Sequence, residues 1–159
     1  MIELELVGVR VELPHNQPIV LLKESSGERF LPIWIGAVEA TSIAFALQGV
    51  ETSRPMTHDL MKDLLDALTV SVERIVVTEL RDGTFYAEIV LNGPSGQTTV
   101  SSRPSDAIAL AVRAGIPVYA DEGVLDEAGI LIDDTDESET EVEKFKEFLD
   151  SVTPEDFAQ

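Results

Sequence analysis

Apolar and polar residues alternate with a period of two at the start of the chain. Ile2, Leu4 and Leu6 share one face and Glu3 and Glu5 the other; past Gly8 the apolar phase moves to Val9, Val11 and Leu13. This pattern predicts a half-buried strand over 2–13, and the phase change marks Gly8 as a bulge or close approach. Pro14, Asn16 and Pro18 frame a turn in which His15 is expected to be solvated. Strands over 19–23 and 29–35 follow, separated by Ser25-Ser26-Gly27, with Trp34 expected in the core rather than as a base-stacking platform.

The period then changes. Ala-rich residues 37–48 carry Val38, Thr41/Ser42, Phe45 and Ala46/Gly49 at helical spacing, and Gly49 supplies a stop. A second helix is predicted over 58–68, with Thr57 as N-cap and Leu60, Leu64, Leu65 and Leu68 on its buried side. Strands over 70–80, 84–91 and 97–102 come next, the first two joined by Asp82-Gly83, a tight-hairpin signal. A helix over 104–114 ends at Gly115, a short strand covers 118–120, and a short helix and turn fall within 123–131. Strand-strand-strand-helix thus occurs twice, over 2–48 and 70–114. The expected fold is α+β, a mixed, mostly antiparallel sheet with helices packed on it. It is either an internal duplication or a plain meander.

Composition divides the chain. Residues 121–159 hold 15 acids and 2 lysines, whereas residues 1–120 hold 15 acids and 9 basic residues, within a total net charge of −19. A domain over 1–130 and an acidic linker plus amphipathic helix over 131–159 are expected. In that tail Ser138-Glu139-Thr140-Glu141 forms a capping box before the stripe Val142, Phe145, Leu149 and Val152. The tail would dock on the body or on a neighbouring subunit. An acidic surface is the opposite of the basic footprint of phosphate-neutralising proteins, which counts against nucleic acid as partner. No run nears the roughly 20 apolar residues that span a bilayer, and the N-terminus has no basic segment before an apolar run. No membrane association and a cytoplasmic location are expected. With no cysteine, disulfides, thiolate metal sites and Cys nucleophiles are excluded.

The candidate chemistry lies at helix starts. Arg54-Pro55-Met56-Thr57-His58-Asp59 and Arg103-Pro104-Ser105-Asp106 each place an arginine beside a first-turn acid. At such a terminus free N–H groups and the dipole favour an anion, so Arg54, Arg103, Thr57 and Ser105 are candidate phosphate ligands. His58 is a candidate general base. Glu39 opens the first helix in the same way. If the helix starts converge, Glu39, Asp59 and Asp106 form a catalytic carboxylate group able to hold Mg²⁺ or Mn²⁺. The plainer reading makes each acid an ordinary first-turn residue, paired with its neighbouring arginine. No glycine-rich phosphate loop, paired metal-binding histidines or Ser/His/Asp signature is present.

Several stretches carry a family resemblance: Leu31-Pro32-Ile33-Trp34-Ile35-Gly36; Glu39-Ala40 with Ile43-Ala44; Arg54-Pro55 with Thr57-His58-Asp59-Leu60. The rest are Gly83-Thr84-Phe85-Tyr86-Ala87, Arg103 through Ala111, and Pro117-Val118-Tyr119. In this order, over about residues 1–125, they closely resemble the bifunctional nuclease domain family of bacteria and plants. One departure is Ser101, where many members carry Asp two residues before the Arg-Pro. The resemblance implies an α+β body that forms dimers or larger assemblies, and activity on DNA and RNA. A metal-assisted nuclease is therefore expected, with a non-enzymatic homo-oligomeric module and an anion-binding regulator as alternatives.

Overall fold

The computed structural model of the chain describes residues 1–12 and 17–132; the turn with His15 and the acidic tail lie outside the described residues. Seven strands form one sheet: β1 (Ile2–Glu12), β2 (Gln17–Glu24), β3 (Phe30–Trp34), β4 (Ser71–Arg81), β5 (Thr84–Gly93), β6 (Gly96–Ser102) and β7 (Val118–Ala120). Four helices accompany them: α1 (Ala37–Gln48), α2 (Thr57–Ala67), α3 (Pro104–Ala114) and α4 (Glu122–Ala128). None of these helices is long and apolar enough to cross a membrane.

The strand order is β3-β2-β1-β7-β4-β5-β6, antiparallel throughout except for the β7–β4 pair. The expected α+β fold is therefore present, and the two halves repeat one meander. Because β7 is antiparallel to β1 and parallel to β4, β1 and β4 run in opposite directions. The halves are thus related by an approximate two-fold axis normal to the sheet, with β7 inserted between them.

Gly8 is a bulge: the β1–β2 register slips between Leu6 and Gly8, which keeps Val9 and Val11 on the buried face that Leu4 occupies before it. Asp82 and Gly83 both hold positive φ, 51° and 78°, the primed turn that a two-residue hairpin requires. One core cluster joins Val20, Leu22, Leu31 and Ile33 of the first half to Ile43, Ala44, Ile108 and Ala109 of α1 and α3. A second, around Val72, Ile75, Ala87 and Leu110, is covered by Met61 and Leu65 of α2. Arg29 ties the β2–β3 hairpin to α4, its Nε donating to Glu24 (2.7 Å) and its Nη1 to Asp126 (2.8 Å).

Three local expectations are corrected. The N-cap position of α2 is Met56, not Thr57; the Met56 N–H is accepted by Asp59 Oδ2 at 3.0 Å, so the helix starts a residue early. Of the leucines assigned to its buried side only Leu65 turns inward, while Leu60, Leu64 and Leu68 are exposed. His58, Met61 and Leu65, spaced i, i+3, i+7, define the inward face instead. Trp34 is 51% exposed. It closes an edge strand on which Leu31 and Ile33 point inward, so alternation sends Trp34 outward.

Thr69 follows α2 with φ 60°, its N–H bonded to Asp66 O and that of Val70 to Leu65 O. A β-branched residue in this left-handed conformation costs about 1–2 kcal/mol, partly offset in a glycine variant by glycine's greater unfolded-state freedom. Thr69→Gly is therefore expected to raise stability by about 0.5–1 kcal/mol in urea denaturation. An unchanged or lower midpoint would contradict the assigned strain.

Candidate functional site

The middle of α1 has no solvent-facing side: Ala40 through Phe45 are six consecutive buried residues. A helix enclosed all round must satisfy its polar side chains within the protein. Thr41 does so locally, its hydroxyl donating to Ala37 O at 2.9 Å. Ser42 reaches His58 on α2, with 2.6 Å between Oγ and Nδ1. His58 Nε2 lies 2.9 Å from Asp106 Oδ1 on α3. An ionised carboxylate only accepts, so Nε2 carries the proton, Nδ1 accepts from the Ser42 hydroxyl, and Ser42 Oγ accepts from Arg113 Nη2 at 3.1 Å. Every donor and acceptor in the row is matched in this neutral tautomer.

Each end of the row closes on an arginine. Arg113, near the end of α3, donates from Nε to Asp59 Oδ1 (2.7 Å) and from Nη2 to the Ser42 carbonyl (3.2 Å). Arg103, at the N-cap of α3, donates from Nε to Asp106 Oδ2 (2.9 Å) and from Nη2 to both Asp106 Oδ1 (3.2 Å) and Glu39 Oε1 (3.0 Å). Glu39 folds back over Gly36, where an added Cβ would collide with its carboxylate. Burial alone would push the Asp59 and Asp106 carboxyls up. Hydrogen bonds to Arg113 and the Met56 N–H, and to Arg103 and His58, outweigh it and hold both below the ordinary value.

The structure thus brings Glu39, Arg103, Asp106, His58 and Asp59 into one connected network, with Ser105 buried beside Arg103. Arg54 and Thr57 stay out of it. Arg54 is exposed, with no ion pair among the described residues, and the arginine on Asp59 is Arg113 instead. The three carboxylates do not meet. Asp59 and Asp106 stand at opposite ends of the row, and among the described residues no group of three His, Asp or Glu could hold a metal ion. Glu39 and Asp106 are neighbours, close enough for one guanidinium nitrogen to bond both.

Two participants were missed in the sequence: Ser42 and Arg113. Both were traceable, since Ser42 lies one turn beyond Glu39 on α1 and Arg113 two turns beyond Asp106 on α3. The Ser42–His58–Asp106 row has the residue types of a hydrolytic triad, but the ring nitrogens are used in reverse. Ser42 and His58 are also each only 5% exposed. The row braces three helices.

Open space lies on the other side of Arg103. A cavity of about 370 Å³ is lined by Trp34 and Gly36 after the sheet edge, Gly83, Thr84 and Phe85 of the β4–β5 hairpin, and Arg103 and Ser105 of α3. The Arg103 side chain is 64% exposed, and its Nη1 bonds nothing among the described residues.

The chain matches the family model of the bifunctional nuclease domain over residues 20–133. It belongs to that family. It is 52% identical over 162 residues to an uncharacterised protein of Mycobacterium tuberculosis H37Rv, covering 98% of this chain and 97% of that one. Bifunctional nuclease 2 of Arabidopsis thaliana is 26% identical over 125 residues, 77% of this chain and 38% of the plant protein. Bifunctional nuclease 2 of Oryza sativa subsp. japonica is 27% identical over 124 residues, 74% of this chain and 38% of its own length. In this bifunctional nuclease domain, then, two of the motifs that carried the family resemblance, Trp34-Ile35-Gly36 and Arg103-Pro104-Ser105, line one cavity.

Ser42→Ala would leave His58 Nδ1 a buried acceptor without a donor, a loss of about 1–3 kcal/mol by urea denaturation. A change under a few tenths would show that the row does not brace the helices. The lowered Asp59 and Asp106 values have a pH signature. Their stabilisation is complete above the unfolded-state value of about 3.9 and is lost as pH falls through the lower folded-state values. Asp59→Asn should melt below wild type at pH 7, with the gap narrowing once the pH falls below about 3.9; a gap constant with pH would rule out the assigned cause.

Proposed function

We propose that the chain hydrolyses phosphodiester bonds in DNA and RNA at the cavity beside Arg103. The observation that carries this reading is the Glu39–Arg103–Asp106 group. An exposed guanidinium is held at the cavity by two carboxylates while one of its nitrogens bonds nothing among the described residues. Arg103 would bind a phosphate oxygen through Nη1 and offset charge that develops on phosphate during displacement. Asp106, kept ionised by its partners, and Glu39 would together hold a Mg²⁺ or Mn²⁺ ion that also takes substrate phosphate, since Mg²⁺ commonly binds through one or two carboxylates. Such an ion supplies Lewis-acid stabilisation and a more acidic water. Asp59 belongs to the bracing half of the network. His58, enclosed and bonded through both nitrogens, is a positioning residue for Asp106.

The test is cleavage of DNA and RNA with Mg²⁺, Mn²⁺ or chelator. Arg103→Ala and Asp106→Asn are expected to lose about 10²-fold or more, the scale for removing one transition-state partner, while Asp59→Asn keeps activity at temperatures where it is folded. Inactive wild type, or full activity in Asp106→Asn, ends the proposal.

A non-enzymatic homo-oligomeric reading draws on a separate observation, the exposed stripe of Leu60 and Leu64 on α2 with Leu68 at its C-cap. A second copy covering that stripe would be released by Leu64→Glu, seen as a fall in mass by analytical ultracentrifugation. An unchanged mass removes α2 as the interface.

A further inference from the structure

We infer that the cavity takes single-stranded nucleic acid, with one unpaired base stacked on Trp34 and one adjoining phosphate on Arg103. This rests on the placement of the nuclease site at Arg103 and adds to it the class of substrate.

Trp34 and Arg103 line the same cavity from opposite elements, the end of β3 and the start of α3. Both are exposed, Trp34 by 51% and the Arg103 side chain by 64%. Trp34 therefore offers exposed aromatic surface in the same cavity as a guanidinium whose Nη1 is unbonded among the described residues. Stacking platforms next to a phosphate-binding cation are how single strands are held without regard to sequence. The size of the cavity lies within the usual range for small-ligand sites and suits a nucleotide rather than a helix. A duplex keeps its bases stacked on one another, so it offers Trp34 no free face.

Charge points the same way. Duplex binders recruit many phosphates with a broad basic surface, whereas residues 1–120 hold 15 acids against 9 basic residues. At the cavity, Arg103 is the one Lys or Arg among the described lining residues. Affinity must then come chiefly from the stacked base, and its dependence on salt must be shallow. One phosphate contact on a single strand corresponds to a log–log slope of about −0.7, against several units for a protein that follows a duplex backbone.

Trp34 is the sole tryptophan of the chain, so its fluorescence reports on this site alone. The full chain is titrated with an eight-residue oligo-dT, an eight-residue oligo-U and a blunt DNA hairpin, all in chelator so that nothing is cleaved. Both single strands should quench Trp34 and the hairpin should not, with a salt slope near −1 or shallower. By anisotropy of labelled oligo-dT, Trp34→Ala should weaken binding about ten- to a hundredfold, and Trp34→Phe should restore most of it. Circular dichroism melts establish that both variants are folded. Equal quenching by hairpin and single strands, a slope of several units, or unaltered binding by folded Trp34→Ala overturns the inference. Binding in chelator is scored apart from cleavage: stacking without hydrolysis would sink the nuclease reading alone. Cleavage that treats single strand and duplex alike in wild type and Trp34→Ala would sink this inference alone.

Discussion

The enclosure of α1 is the constraint from which the rest of the site follows. Residues Ala40 to Phe45 are surrounded on every side, so the hydroxyl of Ser42 has no water to turn to. An unmatched buried hydroxyl is costly, and here the match is made through His58 and onward to Asp106. The starts of α2 and α3 are thereby held to the middle of α1. Because Asp106 is fixed by His58 on one oxygen and Arg103 on both, Arg103 is directed towards Glu39 and the cavity edge. A polar group that the core could not leave unsatisfied ends up setting the orientation of the most exposed arginine of the network.

Much of this was legible along the chain, and the limits have physical causes. The shift of apolar phase at Gly8 marked the bulge because period-2 patterning fails wherever an extra residue enters a strand. Asp82-Gly83 marked the hairpin because few other residue pairs accept two positive φ angles. On α2 the pattern misled. Leu60, Leu64 and Leu68 make the more conspicuous stripe, yet the helix turned His58, Met61 and Leu65 inward. A polar residue with partners on two other helices outweighed three leucines, and hydrophobic spacing carries no information about that. Trp34 misled because residue type favours burial, whereas edge position and alternation decided otherwise. The twin Arg-Pro motifs are alike in sequence but unlike in place: Arg103 enters the network, and Arg113, remote in sequence, stands where Arg54 was expected.

Positive charge is scarce in this molecule, and most of what the structure describes of it faces inward or sideways. Arg29, Lys62, Arg74, Arg81 and Arg113 are each in an ion pair with a nearby carboxylate. A protein built this way has little field with which to draw a polyanion from a distance. Recognition of nucleic acid then falls to contacts made after encounter, where shape and an aromatic surface act and long-range attraction does not.

The inserted strand β7 has a consequence for how the chain assembles. Among the described residues, three, Val118 to Ala120, form the only strand linking the two meanders, pairing with Ile2–Leu4 on one side and Ile75–Val77 on the other. Each meander is made of local hairpins, but the sheet as a whole depends on a join more than a hundred residues long in sequence. During synthesis the first half is complete long before its neighbour in the sheet leaves the ribosome. Until then β1 has an open edge. The protein is therefore two quickly formed pieces with a late keystone, and the α1–α3 contact that carries the site comes into being only when the second piece arrives.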